Sequence, residues 1–182
     1  MNGSTLKAAT ASIALGALLA AAIVPAWRVA SGKRRLREGE GLLLSAARQT
    51  DATARAAMLR DAEEVLDDAA QKLPHDARPH YLLGSAAVLR GDFSAALERY
   101  RRSLAIEERP ETDLNLARAH TGTGEAEAAA ADALRAVWLA PSLLRDLPSD
   151  ARPAVQAELM RREKELSLGN AAIPPLGEDT AR

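Results

Sequence analysis

The sequence predicts an all-α fold, a stack of helix–turn–helix units (about three helix pairs plus a C-terminal capping helix) behind one N-terminal transmembrane helix. Three observations predict it. Of 182 residues, 41 are Ala and 27 are Leu, and only 3% are aromatic. Ala and Leu lead the helix-propensity order, whereas strands draw on β-branched and aromatic side chains. Small and apolar residues recur every 33–34 positions, a period at which helix pairs stack into arrays. Residues 8–27 are an uncharged run of 20, and a helix of that length spans about 30 Å, the thickness of a bilayer core.

Composition also excludes chemistries. The chain has no cysteine, which removes disulfides, thiolate zinc sites, iron–sulfur clusters and a cysteine nucleophile. A net charge of -1 gives no case for nucleic acid as a partner. His75, His80 and His120 form neither an H-E-x-x-H pair nor a cluster of metal spacing, so no metal is expected. Gly122-Thr123-Gly124-Glu125 lacks the Lys-Ser/Thr that a phosphate loop needs. The acidic pairs Glu63-Glu64 and Asp67-Asp68 are expected on a solvated helix face rather than in a catalytic cleft. No catalytic residue or cofactor is expected, and the protein is not expected to be an enzyme.

The elements follow in order. Residues 1–7 are a short tail and 8–27 the membrane helix, with Ile13, Leu15, Leu18, Leu19, Ile23 and Val24 at its centre. Trp27 stands where an aromatic interface anchor belongs. A cleaved leader is the competing reading. It fits less well, because only Lys7 precedes the run and no small-x-small site follows it. Residues 28–35 are a basic juxtamembrane linker; Arg28, Lys33, Arg34, Arg35 and the adjoining Arg37 favour keeping this flank in the cytoplasm. Ser12, Gly16 and Ala20, at four-residue spacing, permit a homo-oligomer within the membrane.

Residues 36–167 are the helical stack. Leu36–Gln49 and Asp51–Leu73 form the first pair, with Gly39 and Gly41 weakening its start or permitting a hinge. Helix 77–90 carries Leu82, Leu83, Ala86 and Ala87 on one stripe. Gly91-Asp92 breaks the chain, and Asp92 is placed to cap the next helix, which carries Phe93, Ala96, Leu97, Tyr100 and Leu104. Leu114, Leu116, Ala117 and His120 begin the third pair. Gly122–Gly124 turns it, and an Ala-rich helix runs to Trp138. A capping helix over 151–166 directs Val155 and Leu159 inward. The tail 168–182 has no periodicity and is expected to be disordered.

The repeat is internal: Gly84 and Ala117, Gly91 and Gly124, Ala96 and Ala129, Tyr100 and Ala133, Ser103 and Ala136 are each 33 apart. Small residues at fixed places mean closely crossing helices. Residues 77–141 resemble tetratricopeptide (TPR) repeats. The W-x2-L-G-x2-Y string of that family falls on His80, Leu83, Gly84 and Ala87, and its later Ala and aromatic on Ala96 and Tyr100. In the next copy Leu116, Ala117, Ala129, Ala136 and Pro141 match, while Asp113, His120 and Ala133 replace large residues. Ala62, Leu66, Ala69 and Pro74 fit the second helix of a degenerate first copy, whose first helix resists alignment.

The resemblance implies a groove that binds protein or peptide partners. Carried over, its residues are Arg78, Tyr81, Ser85 and Val88 in one pair and Leu114, Asn115, Arg118 and Thr121 in the next. The expected function is a membrane-anchored TPR scaffold or adaptor in a bacterial inner (cytoplasmic) membrane, its helical domain in the cytoplasm. Arg outnumbers Lys 20 to 4, a usage that fits a high-GC bacterial genome. The alternative is a periplasmic chaperone-like or biogenesis factor of the cytochrome c maturation, export or secretion type, with the domain outside the cytoplasm.

Overall fold

The structure, a computed structural model, describes residues 3–169, with side chains from Val24 onward. Seven α-helices and one 3-10 helix account for the described residues, with no strand among them: α1 (Gly3–Arg48), α2 (Ala52–Lys72), α3 (Arg78–Arg90), α4 (Phe93–Ile106), α5 (Pro110–Thr123), α6 (Ala126–Leu139), the 3-10 turn Pro141–Asp146, and α7 (Arg152–Ser167). The chain divides into two compact units, one ending at Glu107 and the other beginning at Glu108. The expected tail beyond Gly169 lies outside the described residues.

In the first unit α1 packs along α2, α2 on α3, and α3 on α4. The helical backbone of α1 continues through 28–35, where a linker was expected, and past Gly39 and Gly41, where a hinge was admitted. Packing explains the continuity. Gly32, Leu36, Gly39, Leu43 and Ala46 recur at alternating four and three residues on α1, as do Leu59, Ala62, Leu66, Ala69 and Leu73 on α2, and all ten are buried. Such stripes let two helices interlock side by side. A Cβ on Gly39 would fall 2.5 Å from Leu66 Cγ, and one on Gly32 2.8 Å from Leu73 Cγ. The same antiparallel register sets Leu36 opposite Ala69, Leu43 opposite Ala62 and Ala46 opposite Leu59, so each large side chain meets a small one.

The hairpin α3–α4 repeats the device. A Cβ on Gly84 would fall 2.6 Å from two ring carbons of Tyr100. The Ser103 hydroxyl, fully buried, donates to the Ala77 carbonyl (3.1 Å) just before α3. Asp92 caps α4 as its position suggested, accepting from the Ala95 N–H (3.0 Å). Asp92→Ala is expected to cost about 1 kcal/mol, seen as a lower urea midpoint at unchanged slope.

The 33-residue period reappears in the backbone. Gly91 (φ 81°) and Gly124 (φ 82°) end α3 and α5 in the same left-handed conformation. The following N–H groups close matching bonds, Asp92 to the Ala87 carbonyl and Glu125 to the His120 carbonyl, both 2.9 Å. Glycine takes that conformation without the Cβ penalty.

In the second unit α5 packs on α6, and α6 on both the 3-10 turn and α7. Leu114, Ala117, Ala133, Leu134, Val137, Leu147 and Val155 form its core, with Leu159 packed against them. Val155 and Leu159 thus face inward on α7, as their spacing indicated. The 3-10 turn had no counterpart in the sequence reading; Pro141 starts it, and Leu143 and Leu144 pack on the core.

Among the described residues no helix is long and apolar enough to cross a membrane. Most of the apolar run 8–27 lies outside the residues whose side chains are described, as do the membrane-helix positions Ser12, Gly16 and Ala20.

Candidate partner-binding site

Helical spacing puts Arg78, Tyr81, Ser85 and Val88 on one face of α3. Arg78 is exposed but clasped: its Nε donates to Asp76 Oδ1 (2.9 Å) and a terminal nitrogen to Oδ2 (2.5 Å). That hydrogen bonding raises the guanidinium pKa above its ordinary value. Tyr81 is half-buried, its ring tilted 53° against Tyr100 with centroids 5.9 Å apart. Ser85 Oγ donates to the Tyr81 carbonyl (3.1 Å) and lies 3.3 Å from the Tyr100 hydroxyl. Val88 is half-buried. Tyr81 therefore packs the hairpin first and offers only its remaining surface to a ligand.

On α5 one of the four expected groove residues is displaced. Leu114 is 4% exposed and belongs to the core of the second unit. It shares the inner stripe with Ala117, three residues on, whereas Asn115 and Arg118 sit about 100° further round the helix. Arg118 is exposed and donates to Asn115 Oδ1 (2.9 Å) and to the Asp146 carbonyl (3.1 Å). Thr121 is exposed, its hydroxyl donating to the Ala117 carbonyl (2.9 Å). The second unit thus offers Asn115, Arg118 and Thr121, with the cation held in place from below.

The acidic pairs of α2 are not a bare solvated face. Glu63 accepts from Arg90 of α3 (2.6 Å), Asp67 from Arg99 of α4 (2.9 Å), and Asp68 contacts Lys72 (2.7 Å) and Arg35 of α1 (3.1 Å). The Lys72 hydrogen bond holds the Asp68 carboxyl below its usual range. Of these partly exposed pairs, those to Arg35, Arg90 and Arg99 join neighbouring helices and Asp68–Lys72 lies within α2; each contributes at most about 1 kcal/mol. Arg99 and Arg102 of α4 are paired with Asp67 and Glu98.

A polar seam between α5 and α6 was not anticipated. Asp113 is completely buried, and neither of its oxygens has a hydrogen-bond partner. Arg135 Nε lies 3.5 Å from Oδ1, but that guanidinium also serves Glu108 (2.9 Å). Burial pushes the Asp113 pKa up to about 6; Arg135 opposes the shift, while Asp132 and Glu108 add to it. His120, 5% exposed, has Glu125 Oε2 2.9 Å from Nδ1 and Asp132 Oδ2 3.6 Å from Nε2. On α3, burial first, then Arg99 and Arg102, hold His80 below the usual imidazole pKa. His80 and Asp113 stand 33 apart at the place aligned with the TPR tryptophan. Burial, complete at Asp113 and partial at His80, drives each residue toward its neutral form there. That alignment was the signal for their burial. Among the described residues no group of His, Asp and Glu is arranged to hold a metal ion.

No protein-family model matches the chain, and no curated protein matches it. Solved structures do. TTC0263, a thermophilic TPR protein of Thermus thermophilus, is 25% identical with a TM-score of 0.57, over 69% of this chain and 62% of that one. The chain therefore spans less than two thirds of that protein. MamA is 18% identical with a TM-score of 0.51, over 77% of this chain and 89% of its own. The sequential helix pairs described above have the TPR fold.

Proposed function

We propose that the chain is a non-catalytic docking protein whose TPR-like helix pairs bind protein or peptide partners, tethered to a bacterial inner membrane through the apolar part of α1. The observation that carries the docking half is the helix-pair fold it shares with a TPR protein. The outward polar groups of α5 suit an extended peptide: Asn115 for peptide groups and Arg118 for a carboxylate. The tether rests on the uncharged run 8–27 and its basic flank. The same flank favours a cytoplasmic domain. A periplasmic biogenesis or chaperone role requires the opposite topology, so a periplasm-active reporter fused after Ser167 would replace the first reading with the second.

A photo-crosslinking residue at Val88 or Thr121 is expected to capture a discrete partner in intact cells, whereas one at the exposed Arg55 of α2 is not. Equal capture at all three positions would remove the docking assignment.

A further inference from the structure

We propose that the exposed basic face of α1 binds anionic phospholipid headgroups and so sets the first unit at a fixed attitude on the membrane, with its α2–α3 turn against the lipid surface. This rests on the membrane tether and deepens it. Arg28 reaches α2, its guanidinium donating to the Gln71 carbonyl (2.6 Å), and Ser31 and Gly32 are buried just beyond it. One step upstream Trp27 is 65% exposed, and Val24 61%. The helix thus leaves its contact with α2 where the apolar run ends, and its backbone stays helical from one to the other, with Pro25 inside it. Just inside, Lys33, Arg34 and Arg37 are exposed and enter no ion pair among the described residues, whereas Arg35 is spent on Glu38 and Asp68.

Positions 27, 34 and 37 share a helix face, with 33 adjoining 37. Trp27 to Arg37 spans about 15 Å of axis. An indole followed by unpaired cations at that depth complements a headgroup layer carrying negative charge. Because Gly32 abuts Leu73, the turn after α2, with the exposed Pro74 and His75, lies level with this segment along the α1 axis, so a helix that meets the bilayer end-on at Trp27 brings that turn to the same surface.

The chain has no cysteine, so His75→Cys in the turn and Arg48→Cys at the far end of α1 each accept a single fluorophore. The labelled full chain is placed in phosphatidylcholine vesicles carrying a headgroup quencher, with or without about a third phosphatidylglycerol. Quenching is expected at 75 and not at 48. It is expected only in the acidic vesicles, and to be lost in the Lys33→Gln, Arg34→Gln, Arg37→Gln triple variant. It should also be lost in about 1 M salt, where the screening length is about 3 Å. Helicity of the variant is checked by circular dichroism. Equal quenching in both vesicles and in the variant overturns the headgroup face, while retention through an alkaline wash keeps the tether. Flotation with acidic vesicles only, reversed by salt, supports the face and removes the tether. A chain that floats with neither removes both. Binding to an RNA oligonucleotide that acidic vesicles fail to displace also overturns the proposal.

Discussion

Gly39→Ala is expected to lower stability by about 1–3 kcal/mol, and Gly41→Ala, two residues on in the same helix, to raise it by up to about 1 kcal/mol. Both substitutions gain the same helix propensity. They differ in what the new methyl meets: at 39 it would lie 2.5 Å from Leu66 Cγ and 2.6 Å from Cδ2, and at 41 it meets nothing within 4 Å. The branch carbon of a fully buried Leu66 cannot retreat without displacing its neighbours. Thermal midpoints of the two variants should therefore move in opposite directions. Movement in the same direction would show that α1 does not seat on α2 at this position. Gly84→Leu belongs to the same class against the Tyr100 ring, and a Gly84→Leu, Tyr100→Ala double variant should recover part of the loss, a coupling measurable by a double-mutant cycle.

Asp113→Asn is expected to stabilise the protein at pH 7.5 by up to about 3 kcal/mol, and to leave it nearly unchanged at about pH 3.5. The folded carboxyl titrates at about 6 and the unfolded one near its ordinary value of 3.8. Below the unfolded value both states are protonated, and the native protein bears no ionisation penalty. Between about 4 and 6 the unfolded chain ionises first, so stability falls as pH rises, and above 6 the loss is complete. Asn keeps the shape and never ionises, so the difference between variant and parent isolates this group. His80 works in the opposite sense: its folded pKa is depressed, so its contribution is present above the unfolded imidazole pKa and is lost as pH falls through the folded one. Urea midpoints at several pH values measure both. A difference that does not vary with pH would mean that Asp113 is solvated.

Much of the fold was legible because its determinants are local and periodic. The 33-residue spacing of Gly91 and Gly124 is a left-handed helix ending used twice. Asp92 is a cap recognisable from its neighbours, and Val155 and Leu159 sit one turn apart on α7. The first helix pair resisted alignment for a definite reason. Gly84 lies 16 residues before the Tyr100 it touches, but Gly39 lies 27 before Leu66, so Gly39 and Gly84 are 45 apart and invisible to a 33–34 period. The 4-3 stripe from Gly32 to Ala46 would have revealed it. The site was less legible. Placing Leu114 requires knowing which side of α5 faces α6, and a one-residue step turns a helix by about 100°. The polar seam was named only as a set of replaced aromatics, because chemistry alone does not show that an aspartate has been left in a dry slot.

The extra 11 residues of the first hairpin all lie on the far side of its glycine crossing, mostly as added turns of α2 beyond the level where α4 begins. About seven residues make nearly two full rotations, so the lengthening keeps every inward side chain pointing inward. A rod pinned at one notch can be extended at its free end without re-cutting the notch, and this gives evolution a reach it can adjust by whole rotations while the joint between neighbouring rods stays the same.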